Sequence, residues 1–101
     1  MIQILYSKDV IESSDKSFTI IKEPEIIEDE TLEDQRLHIT GTFNGKHKKF
    51  NCSKVNARFI VESVQTSDVS EWIGIILILE TYKTKKDGEM IDAINIKEVR
   101  N

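Results

Sequence analysis

The chain has 101 residues, of which 39% are hydrophobic and 32% charged, with a formal net charge of −4. This length predicts one domain with a modest hydrophobic core. A lone cysteine excludes an intramolecular disulfide, and the longest apolar run, residues 73–79, is too short to span a membrane. The first residues lack the basic start and long apolar core of a signal peptide, so we expect a cytoplasmic protein.

The N-terminal part of the chain predicts short elements. A short strand is expected at residues 2–5, a single helical turn at 7–13, and a strand at 18–27 that contains Pro24. Because proline has no backbone N–H for a β-ladder, this last strand is expected at a sheet edge or bulged at the proline.

Residues 36–43 and 46–52 predict a β-hairpin. Residues 36–43 alternate apolar and polar side chains, residues 46–52 form the returning strand, and Asn44-Gly45 between them suits a two-residue type I′ turn. Such a turn sets the register and pairs Ile39 with Phe50 on the core face. The opposite face is predicted to present these side chains: His38, Thr40, Thr42, His47, Lys49 and Asn51.

The second half of the chain predicts one helix and a second hairpin. Ser53 is the expected N-cap of a helix that runs to about Val64, because apolar residues recur there at helical spacing. Strands at 75–83 and 90–99 flank a turn at Asp87-Gly88, in a register that places Lys83 opposite Asp92.

These elements predict a mainly β fold with one helix. Five strands with the helix between strands 3 and 4 are the element order of a small OB-like barrel, expected to form a single domain over residues 1–101. OB-folds often bind single-stranded nucleic acid across strands 2 and 3, which here form the Asn44-Gly45 hairpin.

Charge is zoned along the chain. No acidic residue occurs between Asp34 and Glu62, whereas residues 23–34 hold seven carboxylates and no cation. Like charges clustered on a small fold create a local potential that the net charge conceals. The acid-free stretch therefore predicts a surface for nucleic-acid phosphates, with these candidate residues: Arg36, Lys46, Lys48, Lys49, Lys54 and Arg58.

Aromatic side chains are scarce on the predicted basic face. Base stacking needs exposed rings, yet Phe43 and Phe50 both fall on the core face of the hairpin. Tyr6 and Tyr82 are the other candidate stacking rings. A solvated, lysine-rich turn is therefore the competing interpretation of the basic hairpin.

Three short motifs carry a family resemblance. Lys54–Ala57, Trp72–Gly74 and Ala93–Ile94 follow one another with the order and spacing of Lys-x-Asn-Ala, Trp-Ile-Gly and Ala-Ile motifs. In this the chain resembles a group of small, mostly uncharacterised phage proteins over roughly residues 18–98. Departures occur at Val55, Ile75 and Asn95, where that group usually has Thr, Lys and Arg. The resemblance implies an OB-like fold, association with single-stranded DNA, and a phage or mobile-element origin, often among replication and recombination genes, with the protein in the cytoplasm of the host cell.

The acidic residues support a different hypothesis. The chain is alternatively a protein-interaction module that inhibits a host defence or replication protein, with these candidate contacts: Glu23, Glu25, Glu28, Asp29 and Glu30. The same carboxylates also suit a solubilising loop or an internal cover for the basic hairpin.

No catalytic constellation is present in the sequence. No serine or threonine lies in a nucleophile motif, and the four glycines form no phosphate loop. His38 and His47 belong to different predicted cross-strand pairs, so we expect no metal site, no cofactor and no enzymatic activity. A monomer and a homodimer are both compatible with the predicted edge strands.

Overall fold

The computed structural model describes residues 2–27 and 36–101, and it is mainly β. Strands make up 51% of the described residues and helices 23%, and the strands form one curled half-barrel sheet. The strands are Gln3–Ile4 (β1), Ser17–Ile20 (β2), Glu25–Ile27 (β3), Arg36–Phe43 (β4), Lys46–Cys52 (β5), Ile76–Lys86 (β6) and Glu89–Arg100 (β7). The α-helices are Ser7–Glu12 (α1) and Lys54–Val64 (α2), and a 3₁₀ helix spans Val69–Trp72.

The mainly β prediction is confirmed, but its strand and helix counts are not. The described residues contain seven strands where five were expected, and two α-helices where one was expected. The elements beyond the OB-like count are β1, of two residues, within the short strand expected at 2–5, α1, within the helical turn expected at 7–13, and β3, of three residues, at the end of the strand expected at 18–27. Elements this short have weak local signals, because their stability comes from pairing with a longer neighbour. Here β1 pairs in parallel with β5, and β3 pairs with β4.

The order of the strands in the sheet is β1-β5-β4-β2-β6-β7, with β3 also paired to β4. β2 is thus an interior strand between β4 and β6, whereas β3 pairs with β4 alone among the described strands. The edge position expected for residues 18–27 is therefore wrong for β2 and holds for β3. Pro24 lies between the two strands, so its missing N–H interrupts neither ladder.

Both predicted hairpins form in the expected registers. Ile39 pairs with Phe50 across the Asn44-Gly45 turn, whose two residues both have positive φ, as type I′ requires. In the second hairpin Lys83 pairs with Asp92, and the Lys83 Nζ lies 2.8 Å from the Asp92 Oδ1. A two-residue turn leaves little freedom of register, which is why these pairs followed from the sequence.

The core lies between the inner face of the sheet and the helices. Phe18 of β2 and Phe50 of β5 meet edge to face, with ring centroids 5.9 Å apart. Trp72 is 1% exposed, and its Nε1–H donates to the Thr66 carbonyl oxygen, so this ring is part of the core. No helix within the described ranges is long and apolar enough to cross a membrane.

Helix α2 begins as the sequence predicts. The Ser53 hydroxyl accepts from the Asn56 N–H at the first turn, and the helix ends at Val64 before Gln65, which adopts a left-handed conformation. Ile60 is fully buried and anchors the inner face of the helix. The cap and the apolar stripe thus determine both where the helix begins and which side faces the sheet.

Candidate nucleic-acid interface

The half-barrel is open along one side. β1 and β7 stand at opposite ends of the sheet order, and a cleft of about 570 Å³ lies between the β1–β5 side and the β6–β7 hairpin. We call it the seam cleft. Its lining includes Ile4, Leu5, Tyr6, Ser7, Arg36, Phe50, Asn51, Ser53, Asn56, Tyr82, Lys86, Asp92, Ala93 and Ile94.

Two exposed aromatic rings line the seam cleft. Tyr6 is 63% exposed and Tyr82 is 50% exposed. Tyr6 immediately precedes α1, where its backbone N–H donates to the Asp9 Oδ2 at 2.9 Å and fixes the entry of the chain into the helix. Tyr82 lies in β6 directly opposite Ala93, whose short side chain leaves the ring uncovered. Each ring therefore offers an open π-face at a defined position in the backbone.

The charge of the seam cleft is mainly positive. Arg36 opens β4 and Lys86 ends β6, and both side chains line the cleft. Among the described residues neither cation forms a salt bridge. The cleft's carboxylate, Asp92, is already held by the Lys83 Nζ at 2.8 Å. An anionic ligand would therefore meet two cations and one carboxylate that is largely neutralised.

Cys52 lies beneath this region but offers no chemistry to a ligand. Its side chain is fully buried, and burial raises the pKa of the thiol to about 12, with the Arg36 charge acting weakly in the opposite direction. A thiol with so high a pKa has almost no thiolate at neutral pH. Cys52 therefore serves as a small core residue.

A second depression adjoins the seam cleft at Tyr6. This edge hollow measures about 610 Å³ and is lined by Ile2, Gln3, Ile4, Tyr6, Asp9, His38, Lys48 and Lys49. Ile4 and Tyr6 belong to both depressions, so the Tyr6 ring stands between them. The Lys48 Nζ donates to the Gln3 Oε1 at 3.1 Å, which positions this cation beside β1. The two depressions thus share part of their lining and cations line both of them, and we call the pair the track.

The remaining predicted cations lie elsewhere. Lys46 is at the hairpin tip, where it shares a depression of about 180 Å³ with Asp9 and Glu12 of α1. Lys54 and Arg58 project from α2 into a groove that contains no residue of the seam cleft. The six candidates from the sequence thus divide among separate surfaces, and Arg36, Lys48 and Lys49 are the ones that line the track.

Only some of the acidic residues predicted to bind a partner lie within the part of the chain that the structure describes. Glu23 is exposed between β2 and β3, and Glu25 in β3 pairs in register with His38 of β4. Glu28, Asp29 and Glu30 lie outside the described residues. The partner-binding hypothesis for this segment therefore stays a prediction. Two carboxylates of α1, Asp9 and Glu12, also lie beside the hairpin tip at Lys46, a proximity that was not predicted from the sequence.

Sequence reasoning missed the association of Tyr6, Tyr82 and Lys86. Both tyrosines were recognised as candidate rings, but nothing in their local sequence indicates that they share a cleft. Lys86 lies in the second hairpin, outside the acid-free stretch that directed attention to the first. The available signal was the extended β6–β7 hairpin, because long hairpins curl and bring their tips over neighbouring elements.

Within residues 2–27 and 36–101, no group of three or more His, Cys, Asp or Glu side chains is arranged to hold a metal ion. His38 and His47 occupy different cross-strand pairs, opposite Asn51 and Thr42, as the register predicts. Comparison of the chain with protein-family models, with curated proteins and with solved structures finds no match.

Proposed function

We propose that this protein binds single-stranded nucleic acid, without catalysis, along the track formed by the seam cleft and the edge hollow. The observation that carries the proposal is the presence of two exposed tyrosine rings and two cations in one cleft. Single-strand binding combines a cationic groove for the backbone with aromatic faces on which bases stack. The seam cleft offers both, whereas the outer face of the β4–β5 hairpin offers cations and no ring.

The position of the track supports an OB-like interpretation of the half-barrel. If β2, β4, β5, β6 and β7 are taken as the five barrel strands, the cleft lies between strand 3 and the loop that joins strands 4 and 5. OB-folds bind oligonucleotides on the face of strands 2 and 3 and with the adjoining loops. Asn51 comes from the former region and Lys86 from the latter.

Within this proposal Tyr6 and Tyr82 stack on bases, and four cations contact phosphates: Arg36, Lys48, Lys49 and Lys86. Each phosphate contact contributes about −0.7 to the slope of log affinity against log salt for a single strand. Four contacts therefore predict an affinity loss of about 50-fold between about 50 mM and about 200 mM salt.

The test is fluorescence anisotropy with labelled oligothymidylate and oligouridylate at these two salt concentrations. Tyr6→Ala and Tyr82→Ala should each weaken binding by about 5- to 150-fold, because stacking contributes about 1–3 kcal/mol per base. Tyr6→Phe and Tyr82→Phe keep the ring and should bind like the unmodified chain. Absence of binding at the lower salt concentration would refute the proposal.

A pair of charge reversals locates the site. Lys48→Glu combined with Lys49→Glu should abolish binding, whereas Lys97→Glu combined with Arg100→Glu makes the same change in net charge at cations that line neither depression and should leave the affinity within about twofold. Equal losses from the two changes would indicate a response to net charge alone and would contradict a defined track.

A further inference from the structure

A separate groove runs along the flank of α2. It measures about 570 Å³, and six of its lining residues are apolar: Ile26, Leu37, Ala57, Val61, Val69 and Trp72. The Ile26 side chain on β3 is 57% exposed and forms an open wall. The other walls come from β4, α2 and the 3₁₀ helix, so four elements converge on one apolar trough.

The rim of this groove is cationic. Lys54 and Arg58 lie one helical turn apart on α2, and both side chains are exposed and line the groove. Ser67 is the remaining lining residue, so no carboxylate among the described residues faces these two cations across the trough. An apolar floor beneath a pair of cations is complementary to an acidic segment that carries aliphatic side chains.

We propose that the α2 groove is a docking site for an acidic peptide segment of a partner protein, which inserts an aliphatic side chain between Ile26 and Val61 and places carboxylates against Lys54 and Arg58. The interaction is independent of the nucleic-acid track, because the residues that line the groove differ from those that line the seam cleft and the edge hollow.

The chemistry of the groove favours a peptide over a nucleic acid. The aromatic residue that lines it, Trp72, is 1% exposed and presents no face on which a base could stack. Aliphatic walls suit leucine-like side chains, and arginine forms bidentate hydrogen bonds with carboxylates. This assigns Lys54 and Arg58 a protein partner in place of the phosphate contacts predicted from the sequence.

The probe is a labelled peptide, Glu-Asp-Glu-Leu-Leu-Glu-Asp-Glu, titrated with the full chain and followed by anisotropy. Matched peptides replace the two leucines with serine or all of the acids with lysine, and both should bind at least about tenfold more weakly. Lys54→Glu with Arg58→Glu, and separately Ile26→Ser, should each weaken binding by about tenfold or more. All three positions are exposed, so these variants should fold, and Lys97→Glu combined with Arg100→Glu, at two other exposed cations, serves as the charge-matched control.

Three results would overturn the proposal. The first is absence of binding by the acidic peptide, or binding that is equal in the Lys54→Glu, Arg58→Glu variant. The second is displacement of the peptide by oligothymidylate, which would assign the groove to nucleic acid. The third concerns the chain's own carboxylates: peptide binding that is seen only after Glu28→Gln, Asp29→Asn and Glu30→Gln would show that the chain itself, and not a partner, occupies the groove.

Discussion

Replacement of Asn56 tests how the open edge of the half-barrel is stabilised. Asn56 is 6% exposed, and its side-chain amide contacts the backbone of β7 at two points. Its Oδ1 accepts from the Ile96 N–H at 3.2 Å, and its Nδ2 donates to the Ile94 carbonyl at 3.3 Å. Because β7 is the last strand of the sheet, these groups have no neighbouring strand, and Asn56 supplies the partners that such a strand would provide.

The variant Asn56→Leu keeps the size of the side chain and removes both hydrogen bonds. Leaving a buried N–H or C=O without a partner costs about 1–3 kcal/mol, and water admitted at the edge recovers part of that cost. We expect a loss of about 2–4 kcal/mol in the free energy of unfolding. For a domain of this size that corresponds to a fall of roughly 10–30 °C in Tm.

The assays are urea denaturation and thermal unfolding followed by circular dichroism. Asn51→Ala, at an exposed position of β5, should change the free energy of unfolding by less than about 0.5 kcal/mol and serves as the control. Asn56→Asp keeps the acceptor for the Ile96 N–H and loses the donor to Ile94. It should therefore regain stability as the pH falls and its carboxyl is protonated. If the free energy of unfolding of the Asn56→Leu variant lies within about 0.5 kcal/mol of that of the unmodified chain, the proposed bridging role of Asn56 is refuted.

Three further predictions concern the core and one helix cap. A Cβ at Gly41 would overlap the Phe18 ring, so Gly41→Ala should lower the free energy of unfolding by about 1–3 kcal/mol in urea titrations, and an unchanged midpoint would contradict this packing. The buried Cys52 thiol, with its pKa raised to about 12, should react with a thiol-specific disulfide reagent at about pH 8 only after unfolding, and immediate reaction would contradict its burial. Asp68 is the N-cap of the 3₁₀ helix, and hydrogen bonds from the Ser70 hydroxyl and N–H lower the pKa of the Asp68 carboxyl below its ordinary value of 3.8. The stabilising effect of this carboxylate is therefore present above pH 3.8 and is lost as the pH falls through the lowered pKa. The stability difference between Asp68→Ala and the unmodified chain should therefore shrink in acid, and a difference that stays constant down to pH 3.8 and below would contradict the cap.

The hairpins and α2 were predictable because their signals are local. The two-residue turn at Asn44-Gly45 determines which residues face each other along β4 and β5, and the turn at Asp87-Gly88 does so in β6 and β7 as far as the Leu79–Ile96 pair, where a bulge shifts the register. Ser53 and the apolar spacing that follows it locate the start of α2 and its buried face. These features depend on interactions within a few residues of the turn or cap, so the surrounding fold changes them little.

The separation of the basic residues was not predictable from the sequence. Lys49 and Lys54 are five positions apart in the chain, yet one lines the edge hollow and the other the α2 groove. The reason is that the chain passes at Ser53 from a strand into a helix, which turns successive side chains toward different faces. A continuous run of like charge in sequence therefore became two surfaces with different chemistry.

The sequence by itself determined the mainly β character of the protein, both hairpin registers and the capped helix, since each depends on local turn chemistry or on the period of apolar residues. Only the tertiary structure decided that β2 is interior, that β1 extends the sheet beyond β5, and that Tyr6 and Tyr82 line one cleft. These outcomes depend on how far the sheet curls and on which edges stay open. Contacts between distant segments set both, and no local pattern encodes them.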